Sequence, residues 1–325
     1  MFVLDSHCDT PSQILRGRDI SKDNPDAHVD FPKLERGGVD AVFFALYIPA
    51  GLKGEDAYRH AEDLYAGVVS ALEAASDKAV LTVSGSEAHM NAGNGLTSVF
   101  LGLENGSAIG LSLDRLREFY DKGVRYMTLC HSEDNEICDS CAGKGRWHGL
   151  SPFGREVIGY MNRLGMLIDV SHISDEAFYD VIRLSSKPVV ATHSCCRALA
   201  GHPRNMTDDM IRALAANCGV IQINFYPVFL DDSFKEEDMS VSARPSYKRI
   251  VDHIDHVVSL VGIDHVGIGS DFDGIDVTPE GLDDISMLPK VFDEMRERGY
   301  SESDIAKVAS ENFLNVLSSS GEGQS

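Results

Sequence analysis

The residues of this chain best suited to chemistry are histidines and carboxylates that close short apolar runs. His7 and Asp9 stand two apart at the end of the first run, with Cys8 between them. Glu104, His131, His172, His193 and Asp271 each close a further run. Imidazole nitrogens and carboxylate oxygens together suit zinc or a similar transition metal. Five candidate ligands, His7, Asp9, Glu104, His172 and His193, exceed what one tetrahedral catalytic zinc needs. Two metals sharing a carboxylate use such a set well, because a pair roughly 3.5–4 Å apart polarises a carbonyl and generates hydroxide at neutral pH. The runs ending at Glu104 and His131 hold no lysine for a carboxylated bridge, and Lys187 precedes its run, at the wrong end. Glu104 is then the available bridge. Any one of these histidines alone reads as a satisfied polar residue near a rim; the ordered set reads as a metal site.

Residues this far apart in sequence need a frame that gathers strand ends. The apolar runs are Phe2–Asp5, Val39–Ile48, Val99–Leu103, Arg125–Leu129, Met166–Val170, Val189–Thr192, Val220–Phe225 and Val266–Ser270. Several are continuously apolar, as strands buried on both faces require. Amphipathic stretches alternate with them. Tyr247, Ile250, Val251, Ile254, Val257, Val258 and Val261 share one helical face. Ser174 before Asp175 and Glu176 marks a capped helix start, and Ser301-x-x-Asp304 a capping box. Eight strands alternating with helices predict an α/β fold, a (β/α)₈ TIM barrel with a C-terminal helix. It forms one domain over residues 1–317, and Ser318–Ser325 is expected to be a flexible tail. An open doubly wound sheet lacks support, since no Gly-x-Gly-x-x-Gly follows a run and no Walker loop exists. In a barrel the catalytic residues lie at strand ends. His7 and Asp9, two apart on an extended strand, should face the same side, with Cys8 turned away. His172 and His193, one βα unit apart, should be neighbours.

Composition limits the partners. The chain has 325 residues, 43% hydrophobic and 25% charged, which excludes disorder as the main state. Its net charge of −22 makes nucleic acid and membrane surfaces poor partners. The N-terminus offers neither a basic segment nor an apolar stretch of signal-peptide length, so a cytoplasmic location is expected. Seven cysteines without an export signal read as reduced thiols. Cys138-x-x-Cys141 has no second pair at zinc-knuckle spacing and reads as loop. Cys195-Cys196 is not needed as a nucleophile where a metal activates water. Arg204 reads either as a surface arginine paired with Asp208 and Asp209 or as a bidentate clamp for a carboxylate. Asp271 reads as a further ligand, a structural acid or a proton carrier. Asp273 reads as structural, and Asp169 as a residue behind the ligands or a packing residue.

Several stretches carry a resemblance: Asp5-Ser6-His7-Cys8-Asp9-Thr10-Pro11, Gly102-Leu103-Glu104-Asn105-Gly106, Gly149–Gly154, Asn162–His172, Arg204-Asn205-Met206, Gly269–Gly274 and Glu311-Asn312-Phe313-Leu314. With them the chain resembles the membrane (renal) dipeptidase family of zinc metallopeptidases, over nearly its whole length, and looks like a soluble, bacterial-type member. The resemblance implies two Zn²⁺ per chain, one held by His7 and Asp9 and the other by His172 and His193, with Glu104 between. It implies that His131 and Arg204 contact substrate and that Asp271 handles protons. It implies hydrolysis of a dipeptide, D-residues at the C-terminal position included, through a bridging hydroxide, and a homodimer. After His131, where many relatives carry a Cys-Asn-Thr-Pro-like stretch, this chain has Ser132–Cys141, which should border the pocket. The same metals would also serve an amidohydrolase of a lactam, cyclic imide or N-acyl amino acid. A zinc-stabilised binding scaffold without turnover is a third reading, and the intact Asp271 argues against it.

Overall fold

The computed structural model describes residues 1–235 and 244–321. Nine parallel strands form one sheet among the described residues: β1 (Leu4–Cys8), β2 (Ala41–Tyr47), β3 (Ala79–Leu81), β4 (Thr97–Glu104), β5 (Val124–Thr128), β6 (Leu167–Asp169), β7 (Val190–Ser194), β8 (Val220–Ile223) and β9 (Val266–Ile268). Their order is β1-β2-β4-β5-β6-β7-β8-β9, and β3 pairs only with β4. The eight expected strands are therefore the staves of a nearly closed barrel. The three-residue β3, too short to leave a periodic signal, is an addition outside it.

Side chains stitch the seam between β9 and β1. A single bridge joins Cys8 to Phe272. Asp5 Oδ1 accepts from Ser270 N at 2.9 Å, and the Ser6 hydroxyl lies 3.1 Å from Ile268 O of β9 and 2.7 Å from Thr192 O of β7. Asp5, Ser6 and Ser270 are all fully buried, so these bonds satisfy groups that could not otherwise be desolvated without cost.

Two apolar layers follow. The barrel interior holds Leu4, Phe43, Phe100, Tyr126, Leu167, Val190 and Val220, one from each of seven strands. Phe43 stacks on Phe100 with ring centroids 4.7 Å apart. The helix Asn312–Gly321 plugs the barrel end opposite the strand C-termini, with Phe313 set edge-on to Phe43 at 5.3 Å. That helix runs on through Ser318, where the tail was expected to begin; residues 322–325 lie outside the described residues. The outer layer packs the helices on the sheet. The expected starts at Ser174 and Ser301 are N-caps, the second a complete capping box. The helix Lys248–Val261 buries Ile250, Val251, Ile254 and Val257, as its periodicity requires.

Candidate metal centre and active site

The strand C-termini gather every sequence-predicted ligand at one rim. His7 and Asp9 do not share an extended strand as expected. β1 carries a register shift between Asp5 and Cys8, and Asp9 is a helix N-cap with φ −88° and ψ 20°, not an extended residue. Both side chains still converge, with His7 Nε2 3.4 Å from Asp9 Oδ2. Cys8 turns away from both, its thiol on Asp5 Oδ2 and Ser270 Oγ, and the shift is what brings Asp5 and Cys8 to the same side.

Glu104 ends β4 with its two oxygens divided. Oε2 lies 3.4 Å from His7 Nε2. Oε1 lies 3.1 Å from His172 Nε2 and 3.5 Å from His193 Nε2. The two latter nitrogens are only 2.8 Å apart. Asp271 Oδ1 is 4.0 Å from His7 Nε2, and its Oδ2 accepts from Asn224 Nδ2 at 2.8 Å. Asn224 cannot flip, because its own carbonyl oxygen accepts from Tyr226 N at 2.6 Å.

Backbone strain collects at the same rim. His172, Asp271, Asp273 and Asn105 have φ of 71°, 64°, 66° and 77°. Non-glycine residues in the left-handed region cost free energy and persist where surroundings over-determine them. His172 is held from outside by the acidic loop after His131: Cys141 N donates to His172 O at 2.8 Å. Asp134 and Asp139 order that loop by accepting from backbone N–H groups of Ser140, Lys144, Trp147 and Gly149. The loop thus acts on a predicted ligand from behind, and none of its residues 132–141 lines the cavity, where it was expected to border the pocket. Two glycines make room. A Cβ at Gly102 would collide with the Tyr126 ring, which passes beneath it to place its hydroxyl 2.8 Å from His7 Nδ1. A Cβ at Gly274 would collide with Asp9 Oδ2 and Asp271 Oδ1.

The electrostatics are those of a cluster short of positive charge on one side and crowded on the other. Burial, then the neighbouring Glu104 carboxylate, pushes Asp9 up to about 6. Burial, then Asp9, pushes Asp271 up to about 6. Burial pulls His7 down, but Glu104 and Asp9 together outweigh it and raise it well above the usual imidazole range. His172 and His193 are held well below that range, by burial first and by nearby Arg204 and histidine charges next. His7 Nε2 is fully buried with no hydrogen-bond partner. Three triads bring ligand atoms within 4.8 Å of one another: His7 with Glu104 and His193, Glu104 with His131 and His172, and His7 with Asp9 and Asp271. Crowded carboxylates, an orphaned imidazole nitrogen and converging nitrogen tips are relieved together by divalent cations. The donor set fits a metal.

A cavity of about 270 Å³ opens beside this cluster, lined by Asp9, Tyr47, Glu104, His131, His172 and Asp271 among others. His131 projects into it, its ring 4.2 Å from that of His172 and 4.8 Å from that of Tyr47. Burial and the Arg204 charge push His131 down to about 4, so it is a neutral imidazole at pH 7. Arg204 is buried behind the rim and does not line this cavity. Its guanidinium donates to His193 O at 2.9 Å and Ser194 Oγ at 3.2 Å, and its Nε has no partner. Asp208 pairs with His256, so the surface-pair reading of Arg204 fails there. Tyr126 and Asn224 were not singled out from sequence. A tyrosine and an asparagine inside otherwise apolar strand patterns were the available signal.

A rim of carboxylates and imidazoles on a (β/α)₈ barrel defines a metal-dependent hydrolase. The model of the membrane dipeptidase family (peptidase family M19) matches residues 1–322, and the chain belongs to that family of metallo-dipeptidases. Dipeptidase tcpJ of Claviceps purpurea is 35% identical over 303 residues, covering 89% of this chain and 68% of that protein. The crystal structure of dipeptidase AC superposes with TM-score 0.92 at 28% identity, covering 99% of each chain. A metallo peptidase from Rhodobacter sphaeroides, liganded with a phosphinate mimic of the dipeptide L-Ala-D-Ala, superposes with TM-score 0.91 at 27% identity, covering 98% of this chain and 99% of its own. Among the described residues no helix is long and apolar enough to cross a membrane.

Proposed function

We propose that this chain is a binuclear zinc dipeptidase that accepts D-residues at the C-terminal position. The divided carboxylate of Glu104 carries the reading: one oxygen faces His7, whose Nε2 also meets Asp9, and the other faces His172 and His193, as a bridge between two sites requires. Zinc ions held there would polarise the scissile carbonyl and lower the pKa of a bound water to near neutrality. Asp271, aimed by Asn224 and lining the cavity, would take a proton from the attacking water and return it to the leaving amine. Neutral His131 donates a hydrogen bond to the oxyanion. Arg204, set behind the rim, keeps three N–H groups beyond its two bonds, and these would hold the substrate carboxylate where a substrate reaches past the rim to it. The small cavity favours a dipeptide over a longer chain. The phosphinate mimic bound by the Rhodobacter sphaeroides relative supports an L,D-dipeptide as one substrate. The homodimer and the cytoplasmic location are further parts of this proposal; the first rests on the family resemblance, the second on seven cysteines that all stand unpaired.

The test is elemental analysis with a dipeptide screen. About two zinc equivalents per chain are expected, with turnover of dipeptides that include D-configured C-terminal residues. Active protein without stoichiometric metal would overturn the centre. Turnover of lactams or N-acyl amino acids in preference to dipeptides would favour the other amidohydrolase reading.

A further inference from the structure

Behind the ligands lies a fully buried carboxylate that the chemistry above does not use. Asp169, at the end of β6, receives four hydrogen bonds. Oδ1 accepts from Ser171 N at 3.0 Å and Thr192 N at 2.9 Å. Oδ2 accepts from the hydroxyls of Thr128 at 2.6 Å and Thr192 at 2.7 Å. Thr128, Asp169, Ser171, Thr192 and His193 are all fully buried, so no water competes for these groups.

The directions of these bonds are forced. Backbone N–H groups only donate, which fixes Oδ1 as an acceptor, and a carboxylate oxygen facing two hydroxyls accepts from both. The single proton of the Thr192 hydroxyl is thereby spent on Asp169. Its lone pair faces His193 Nδ1, 2.9 Å away. That nitrogen must carry the proton, which leaves Nε2 bare. We infer that Asp169, acting through Thr192, fixes the tautomer of His193 and so turns a bare Nε2 toward Glu104. His7 has no such device: its Nδ1 meets the Tyr126 hydroxyl, which can donate or accept. Asp169 is a positioning residue. The tautomer follows from the hydrogen bonds alone, and its consequence for metal affinity rests on the metal centre proposed above.

Asp169→Asn reverses the relay. The two backbone N–H groups hold the amide oxygen on the Oδ1 side, so the amide NH₂ faces the two hydroxyls. Thr192 must then accept from it and turn its own proton onto His193 Nδ1, which favours the Nε2–H form. Thr192→Val removes the relay with little change of shape, and Thr192→Ser keeps the hydroxyl.

The experiment is ¹⁵N NMR of the histidine-labelled full chain, metal-free, with zinc affinity measured by chelator competition. Wild type and Thr192→Ser are expected in the Nδ1–H form at His193. Asp169→Asn should shift it toward Nε2–H, and both Asp169→Asn and Thr192→Val should bind zinc about 10–100-fold more weakly, the usual effect of losing a partner of a metal-bound histidine. An Nε2–H wild type, or a tautomer unmoved by Asp169→Asn, would overturn the inference. Should Asp169→Asn not fold, an unchanged Thr192→Val tautomer and affinity would overturn it instead. A wild type in the Nδ1–H form that binds no zinc supports the relay while removing the metal centre, so the two failures are distinct.

Discussion

The sharpest expectation concerns Asp271→Asn. The substitution is nearly isosteric, and asparagine tolerates the left-handed backbone of φ 64° as well as aspartate does. Asn224 Nδ2, held in its orientation by Tyr226 N, still meets an oxygen if the introduced amide turns its carbonyl that way. Its NH₂ then faces His7 and the cavity, where a base is needed and none is left. The fold should therefore survive and the proton transfer should not. General acid–base catalysis contributes typically 10²–10⁴-fold, so kcat should fall by about that range, or about 3–5 kcal/mol of transition-state stabilisation. KM should change little, because the loss lies in the transition state. The pH profile gives a second reading. Burial and Asp9 raise Asp271 to about 6, and Asp9 is pushed to about 6 as well. The base works only when ionised, so wild-type kcat/KM should fall as pH drops through the range of this coupled pair. Bound cations pull both groups down, which places that limb at or below pH 6, and it should change shape in the variant. The assay is steady-state dipeptide hydrolysis across pH with zinc analysis of the same samples. Near-normal kcat would refute the proton-carrying role. Loss of one metal equivalent would make Asp271 a ligand, which its place in a triad with His7 and Asp9 allows.

Three further outcomes are expected. If Arg204 holds the substrate carboxylate, Arg204→Lys should not restore it, since an ammonium cannot replace a planar fork; amidating the dipeptide C-terminus should then hurt the wild type badly and the variant little more, and full additivity in the kinetic cycle would refute the contact. Gly274→Ala should lower kcat/KM by about 10²-fold, because its Cβ displaces the Asp9 and Asp271 carboxylates; normal kinetics would show that the loop yields at no cost to the centre. His253 is buried and neutral, accepting from Cys196 N and bonded to Leu230 O, and burial holds it at about 4 against 6.5 when unfolded. The unfolded chain then binds a proton the fold refuses, so stability should fall as pH drops from 6.5 toward 4, by about 3 kcal/mol in all. His253→Asn should lessen that slope in thermal melts, and an unchanged slope would remove the assignment.

The sequence made the frame legible because a barrel strand buried on both faces is apolar almost throughout, and a polar residue at its end is conspicuous. That is why His7, Glu104, His172 and His193 stood out and why the rim gathers them. What pattern could not supply is what neighbouring strands do to one another. The shift in β1 that lets Asp9 leave the strand and still face His7 depends on pairing with β2. Tyr126 reaches His7 only because Gly102 lies opposite it in register on β4. Thr128, Asp169 and Thr192 interrupt three consecutive apolar runs, three, three and one residues before His131, His172 and His193. Taken one strand at a time, each is a minor exception to a hydrophobic pattern. Thr128 and Asp169 are register partners, and Thr192 comes from the next strand. A polar residue buried in a barrel wall has to be satisfied from an adjacent strand, so such exceptions must come in lateral groups. Groups of this kind, one step behind a row of candidate ligands, mark the second layer of a metal centre before any coordinates are known. The same reasoning accounts for the loop 132–141. Its aspartates serve its own backbone, and only the fold shows that the loop so ordered places Cys141 N on the carbonyl of His172.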